Sequence, residues 1–198
     1  MPEQSKKLLL LNASQTCSDY VMAKLLVLNA EGQHVCTNCV RKTWYTLEDG
    51  LWQCHTGDLL FDVYCTACDE VLAHLRENHR RAMLDAESED EASRLNKLYI
   101  KQVKKLACLD SNAKTKNVIS MASRMLYNGH FAETLDQDLD MIGFGGGQVY
   151  DLNKGLARKA LPSDRVSLST GVVLPDIPDE KHQIYNLSQI YSMANATQ

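Results

Sequence analysis

The side chains best suited to chemistry in this sequence are cysteines. There are seven, and four fall into two pairs, Cys36-Thr-Asn-Cys39 and Cys65-Thr-Ala-Cys68. Two pairs of this spacing can close a tetrahedral shell of four thiolates around zinc, in a structural rather than a catalytic site. Zinc on Cys36, Cys39, Cys65 and Cys68 is therefore one expectation. The competing reading is packing, because the second pair lies inside the strongest helical pattern of the chain. Cysteines three apart on such a helix are small neighbours on an apolar face. A Cys–His nucleophile drawn from Cys36 or Cys54 with His34 or His55 is disfavoured, since adjacent strand residues point to opposite faces.

The aspartates come next. Asp136-Gln-Asp138-Leu-Asp140 opens like a calcium loop, but Met141 stands where the sharp turn needs glycine. Gly147 stands where the bidentate glutamate belongs. With Asp151 these residues leave a metal-dependent nuclease as a third-ranked reading. The glycine run Gly143-Phe-Gly-Gly-Gly-Gln148 has no Lys-Ser/Thr after it and is not a P-loop. It also lacks glycine at 148, so the dinucleotide fingerprint fails. No motif for ATP hydrolysis is visible. The clearest nucleic-acid candidate is a basic flank, Arg94, Lys97, Lys101, Lys104 and Lys105. Its three- and four-residue spacing lines charges along one helix edge able to displace counterions from phosphates. The alternative is a solvated face paired with the acidic run over 85–91.

Composition narrows the field. The formal charge is -4 and the pI near 5.8, which excludes a globally basic nucleic-acid binder and leaves only a local patch. Hydrophobic residues make up 44% of the chain, enough for a core. The apolar run after Lys6-Lys7 is too short for a signal peptide, and no run suggests a membrane span. A reducing compartment is expected, where cysteines serve as thiols or metal ligands rather than disulfides.

The elements that must position these residues follow from periodicity. A helix is expected over 18–28, ending at Glu31-Gly32. Thr43–Leu47 and Leu51–His55, separated by Glu48-Asp49-Gly50, form a hairpin signal, with Trp44 and Trp52 placed to stack across it. A long helix runs over 58–84, with Leu60, Tyr64, Cys68, Val71 and Leu75 inward and Phe61, Cys65 and Leu72 widening that stripe. Helices over 92–109 and 114–127 follow. Short strands are expected at 141–144, 148–152 and 165–170, with a turn at 153–155. Pro175 and Pro178 bracket a linker, and a short helix is expected over 181–193. The fold class expected is α+β: a mainly helical body, a Trp-rich β-hairpin and a small antiparallel sheet in the C-terminal third. The divisions expected are an extension over 1–12, a domain over 13–174, and a linker with a short helix over 175–198.

One stretch carries a resemblance. FAETLDQDLDMIGFGGGQVYDLNKGLARKALPSDRVSLSTGV, residues 131–172, contains Phe131, Leu135-Asp136, Ile142-Gly143-Phe144, Val149-Tyr150-Asp151-Leu152 and Arg158. It continues through Pro162-Ser-Asp164 and Val166-Ser-Leu-Ser-Thr-Gly171. In that order these phrases resemble the domain just before the superfamily 3 helicase core in poxvirus-type primase–helicases of large DNA viruses and their phage and plasmid relatives. The family's Asn-Gly is replaced by Gly147-Gln148, with one extra residue in the glycine run. The resemblance implies a non-catalytic middle segment of a DNA-replication primase–helicase, at a viral replication site or in host cytoplasm. Its implied partners are single-stranded or forked DNA, helicase and primase domains, and further copies of itself, a hexamer in the parent. ATP and magnesium belong to the helicase part. A zinc-binding nucleic-acid or protein adaptor is the alternative reading.

Overall fold

The structure, a computed structural model, describes residues 2–57 and 59–174. Asp58, and the linker and helix expected after residue 174, lie outside the described residues. Five α-helices are present among these: α1 (Pro2–Thr16), α2 (Asp19–Ala30), α3 (Phe61–Leu84), α4 (Glu89–Leu106) and α5 (Asn112–Met125). The strands are β1 (His34–Asn38), β2 (Thr43–Glu48), β3 (Leu51–Thr56), β4 (Met141–Gly145), β5 (Gln148–Asp151), β6 (Leu156–Lys159) and β7 (Ser169–Val173). The chain divides into two compact units. One takes in Met1–Glu31, Cys39–Lys42 and Thr56–Tyr127; the other takes in Gly32–Asn38, Thr43–His55 and Asn128–Gln198. The α+β class is as expected.

In the helical unit, α2 buries Met22, Ala23, Leu25, Leu26 and Ala30, and α3 buries Tyr64, Ala67, Cys68, Val71 and Leu75. Phe61 and Cys65 do not widen the α3 stripe; both are exposed. Helix α4 starts on Ser88, whose hydroxyl accepts from Glu91 N at 3.2 Å, and α5 starts on Ser111, which accepts from Lys114 N at 3.3 Å. These caps satisfy N–H groups that have no partner within the helix. Helix α1 is absent from the sequence reading because its leucines run consecutively instead of recurring on one face. It is held by Ala13 and Ser14, both buried, and by Lys6, whose ammonium meets Glu70 at 2.7 Å and Asn29 at 2.9 Å.

In the strand unit, β1, β2 and β3 form a sheet in that order. Strand β1 was not expected; it pairs antiparallel with β2, placing Cys36 opposite Trp44. The β2–β3 turn is Asp49-Gly50, with φ 46° and 75°, the twist-matching turn of two-residue hairpins. Trp44 and Trp52 do not stack across the hairpin. The alternation of strand side chains puts Trp52 on one face, where its ring meets Phe131 edge-on at 4.7 Å. Trp44 takes the other face and is almost fully buried, at 2% exposure.

The second sheet has the order β6-β5-β4-β7, and β7 lies parallel to β4. The expected antiparallel sheet is therefore a mixed one. The physical reason is the route of the chain: from β6 at one edge it must cross to the other, and a crossover delivers a parallel strand. That crossover occupies 160–168, so the strand expected over 165–170 begins only at Ser169, and Arg165 takes a left-handed φ of 55°.

Candidate functional site

Helix α4 carries the basic face. At about 100° per residue, Arg94, Lys97, Lys101, Lys104 and Lys105 fall on a single arc, turned away from Leu95, Tyr99 and Leu106. All five are exposed. The acidic run 85–91 does not neutralise them. Glu91 accepts from Glu87 N at 3.1 Å, and the ion pairs among the described residues use other cations. Only Lys105 is engaged, donating to the Gln15 carbonyl at 2.8 Å. Glu89, Asp90 and Glu91 in the first turn and Lys104 and Lys105 in the last match the helix dipole, so the charge distribution also favours the helix.

Away from the basic arc, on the other side of α4, runs an open groove of ≈ 260 Å³, with Leu75, His79, Leu95, Leu98 and Tyr99 among its walls. The His79 and Tyr99 rings are stacked, 4.2 Å apart and 8° from parallel. Leu98, on the flank of the basic arc, is 58% exposed. The row of cations can meet a backbone of phosphates, with the exposed Leu98 as an apolar surface on its flank.

The four cysteines of the two pairs lie on different elements, β1, the β1–β2 link and α3. Cys36 is buried in β1, and the Cys39 thiol points at the Ser123 carbonyl, 3.7 Å away. Cys65 is exposed on α3. Cys68 is buried beneath it, and burial pushes its thiol up to about 11, with the Tyr64 hydroxyl opposing. Among the described residues no group of three or more His, Cys, Asp or Glu side chains is arranged to hold a metal. Elsewhere, the Sγ atoms of Cys17 and Cys108 are 2.8 Å apart. No local spacing announces a contact between residues so distant in sequence.

The aspartates and glycines of 131–172 serve as braces. Asp136, itself at φ 54°, accepts from Ser167 N at 2.8 Å, from Leu168 N at 3.3 Å and from the Ser167 hydroxyl, fixing the crossover. Arg158 forks onto Asp164 at 2.7 and 2.8 Å, and Asp164 also accepts from Leu161 N at 2.7 Å. The guanidinium holds the Asp164 carboxyl below its ordinary value. Asp140 accepts from Asn153 at 2.7 Å, and Lys154 pairs with Asp151 at 2.9 Å. Phe131 is buried between the Trp52 ring and the Arg165 guanidinium, which sits 4.5 Å over it. A cleft of ≈ 300 Å³ nearby is faced by Asp138, Asp151 and Asp164 together with Lys154, Arg158 and Arg165. Its charges balance, and its acids are engaged with these neighbours or with backbone.

The glycine run is a packed turn. A Cβ on Gly147, at φ +74°, would lie 2.9 Å from the Asp49 carbonyl; one on Gly50 would lie 2.6 Å from the Ala160 Cβ. The β2–β3 and β4–β5 turns thus touch backbone to backbone, which only glycine permits.

Comparison with known proteins agrees with the resemblance. The sequence model of the family described as "D5 N terminal like" matches residues 19–187. A curated relative from Acanthamoeba polyphaga mimivirus, named "Putative helicase L207/L206", is 23% identical over 183 residues. The alignment takes in 90% of this chain and 18% of that relative, so this chain spans under a fifth of the relative's length. No described helix is long and apolar enough to cross a membrane.

Proposed function

The chain belongs to the D5 N-terminal-like family, and from that premise we propose that it is a DNA-engaging module of a viral-type primase–helicase. In this reading it performs no chemistry. It holds single-stranded or forked DNA and passes it to a helicase ATPase that this chain does not itself contain, alongside primase and helicase domains and further copies of itself.

The observation that carries the reading is the α4 face: five basic side chains exposed together, none with an ion-pair partner among the described residues, on an otherwise acidic protein. From Arg94 to Lys105 the helix rises about 16 Å, and a duplex strand spaces its phosphates about 3.4 Å apart along the axis. The row therefore spans about five phosphate spacings. Leu98, exposed on the flank of the arc, gives an apolar surface beside the cations on which a base of a single strand can rest.

The mimivirus relative is named a helicase, and this chain aligns with a limited part of it, which fits a module serving an ATPase elsewhere. The test is binding of labelled single-stranded, forked and duplex DNA, followed by anisotropy, for the wild-type chain and for K97E/K101E/K104E. Preference for single-stranded or forked DNA, lost in the variant while the fold is kept, supports the proposal. Equal binding by the variant rejects it.

A further inference from the structure

We propose that Cys17 and Cys108 are an oxidation site, a dithiol that a peroxide-class oxidant closes into an intrachain disulfide within the helical unit. The two residues lie in different links, Cys17 between α1 and α2 and Cys108 in the single 3-10 turn Ala107–Asp110 between α4 and α5. Their sulfurs nevertheless stand 2.8 Å apart, both as free thiols.

Each backbone is held where it is. Cys17 N donates to the Ala13 carbonyl at 2.9 Å, and its own carbonyl accepts from the Lys114 ammonium, which also pairs with Asp19. The Cys108 carbonyl accepts from Ser111 N at 3.1 Å and from the Ser111 hydroxyl at 2.8 Å. Closing the bond therefore requires side-chain adjustment and little backbone movement.

The two sulfurs differ in access, and that difference sets the order of events. Cys108 is exposed and is the sulfur a solution oxidant reaches; Cys17 is buried, with 6% exposure. Burial and the Cys108 contact push the Cys17 thiol up to about 12, so it does not react first. The Cys108 thiolate attacks one peroxide oxygen, the O–O bond breaks, and a sulfenic acid forms with release of hydroxide, which takes up the thiol proton as water. The Cys17 sulfur then attacks the Cys108 sulfur. The S–O bond breaks and the leaving hydroxide takes the Cys17 proton as a second water. Two thiols and one peroxide thus give one disulfide and two waters. The Lys114 and Lys105 ammonium groups act on Cys17 in the direction that favours its thiolate as that proton leaves. Cys54 is also exposed, but it lies on β3, outside this thiol pair, and is the control.

The experiment is titration of the fully reduced chain with hydrogen peroxide, read by intact mass and by mapping of an unreduced digest. The expected result is a monomer lighter by two hydrogens, a linked Cys17–Cys108 peptide, reversal by dithiothreitol, and a raised melting midpoint from closing a long loop. Cys108→Ser, at an exposed position, should remove the linked peptide, and Cys54→Ser should leave it in place. Two results overturn the proposal. One is Cys108 driven to sulfinic acid while Cys17 remains alkylatable after unfolding. The other is Cys108-linked dimers as the main product.

Discussion

Replacing Gly143 with alanine isolates a purely steric demand of the family phrase. No left-handed φ is involved there, unlike Gly50 or Gly147. An added Cβ would lie 2.2 Å from the Leu168 carbonyl oxygen, 2.8 Å from Val166 Cγ1 and 3.1 Å from Leu51 Cδ2. The first of these is backbone, adjacent to the parallel pairing of Gly143 with Ser169, so it cannot be relieved by a rotamer change. Relief needs β7 to move by about 1 Å or the pairing to open. Overpacking costs about 1–3 kcal/mol, and a backbone obstacle sets this case at the upper end. About 3 kcal/mol corresponds to roughly 150-fold in the unfolding equilibrium. The comparison variant is Gly32→Ala, at φ +79° with nothing within 4 Å, where only the left-handed penalty of about 1–2 kcal/mol applies. Both tryptophans of the chain lie in the strand unit, so intrinsic fluorescence during urea unfolding reports the part that matters. Gly143→Ala within 0.5 kcal/mol of wild type, taken as about the scatter of neutral surface changes, would refute the steric account of this glycine.

Other expectations follow from the same geometry. Because Arg158 holds the Asp164 carboxyl below its ordinary value, that pair stabilises the fold above about pH 4 and loses its contribution as pH falls through the depressed value. Asp164→Asn should therefore flatten the acid limb of stability measured between neutral and strongly acidic pH, and an unchanged limb would count against the brace. A double-mutant cycle with Arg158→Met should give a coupling of about 1–2 kcal/mol by urea unfolding. Asp136→Ala removes acceptors from Ser167 and Leu168 and should destabilise by about 3 kcal/mol, with Asp136→Ser recovering part of it. Chelation by EDTA should leave the melting curve unchanged, since the thiols of the two cysteine pairs are not gathered for metal; one zinc per chain in elemental analysis would contradict that arrangement.

Much of the helical unit was legible because its signals are local. The stripe Leu60, Tyr64, Cys68, Val71 and Leu75 is a helix face in sequence and a buried row in space. The Asp49-Gly50 turn likewise marked its hairpin. What could not be read depends on distant partners. Strand β1 is a strand because β2 lies beside it, and α1 is ordered by tertiary anchors such as Lys6 with Glu70. The direction of β7 depends on where the crossover lands, and nothing within five residues encodes that. The basic flank was visible as spacing alone, but whether acids covered it required coordinates. In the family phrase, Asp136, Gly143, Arg158 and Asp164 turn out to be braces, which explains why so specific a pattern carries no catalytic signature.

The most direct test of the central proposal is the salt dependence of single-stranded DNA binding. Each phosphate contact should contribute about 0.7 to the slope of log affinity against log salt. A row engaging about five phosphates predicts a steep slope for the wild-type chain, and K101E/K104E/K105E should reduce it by about 2 while far-ultraviolet dichroism stays the same. A slope that is shallow from the start, or equally steep in the variant, would contradict the assignment of DNA to α4.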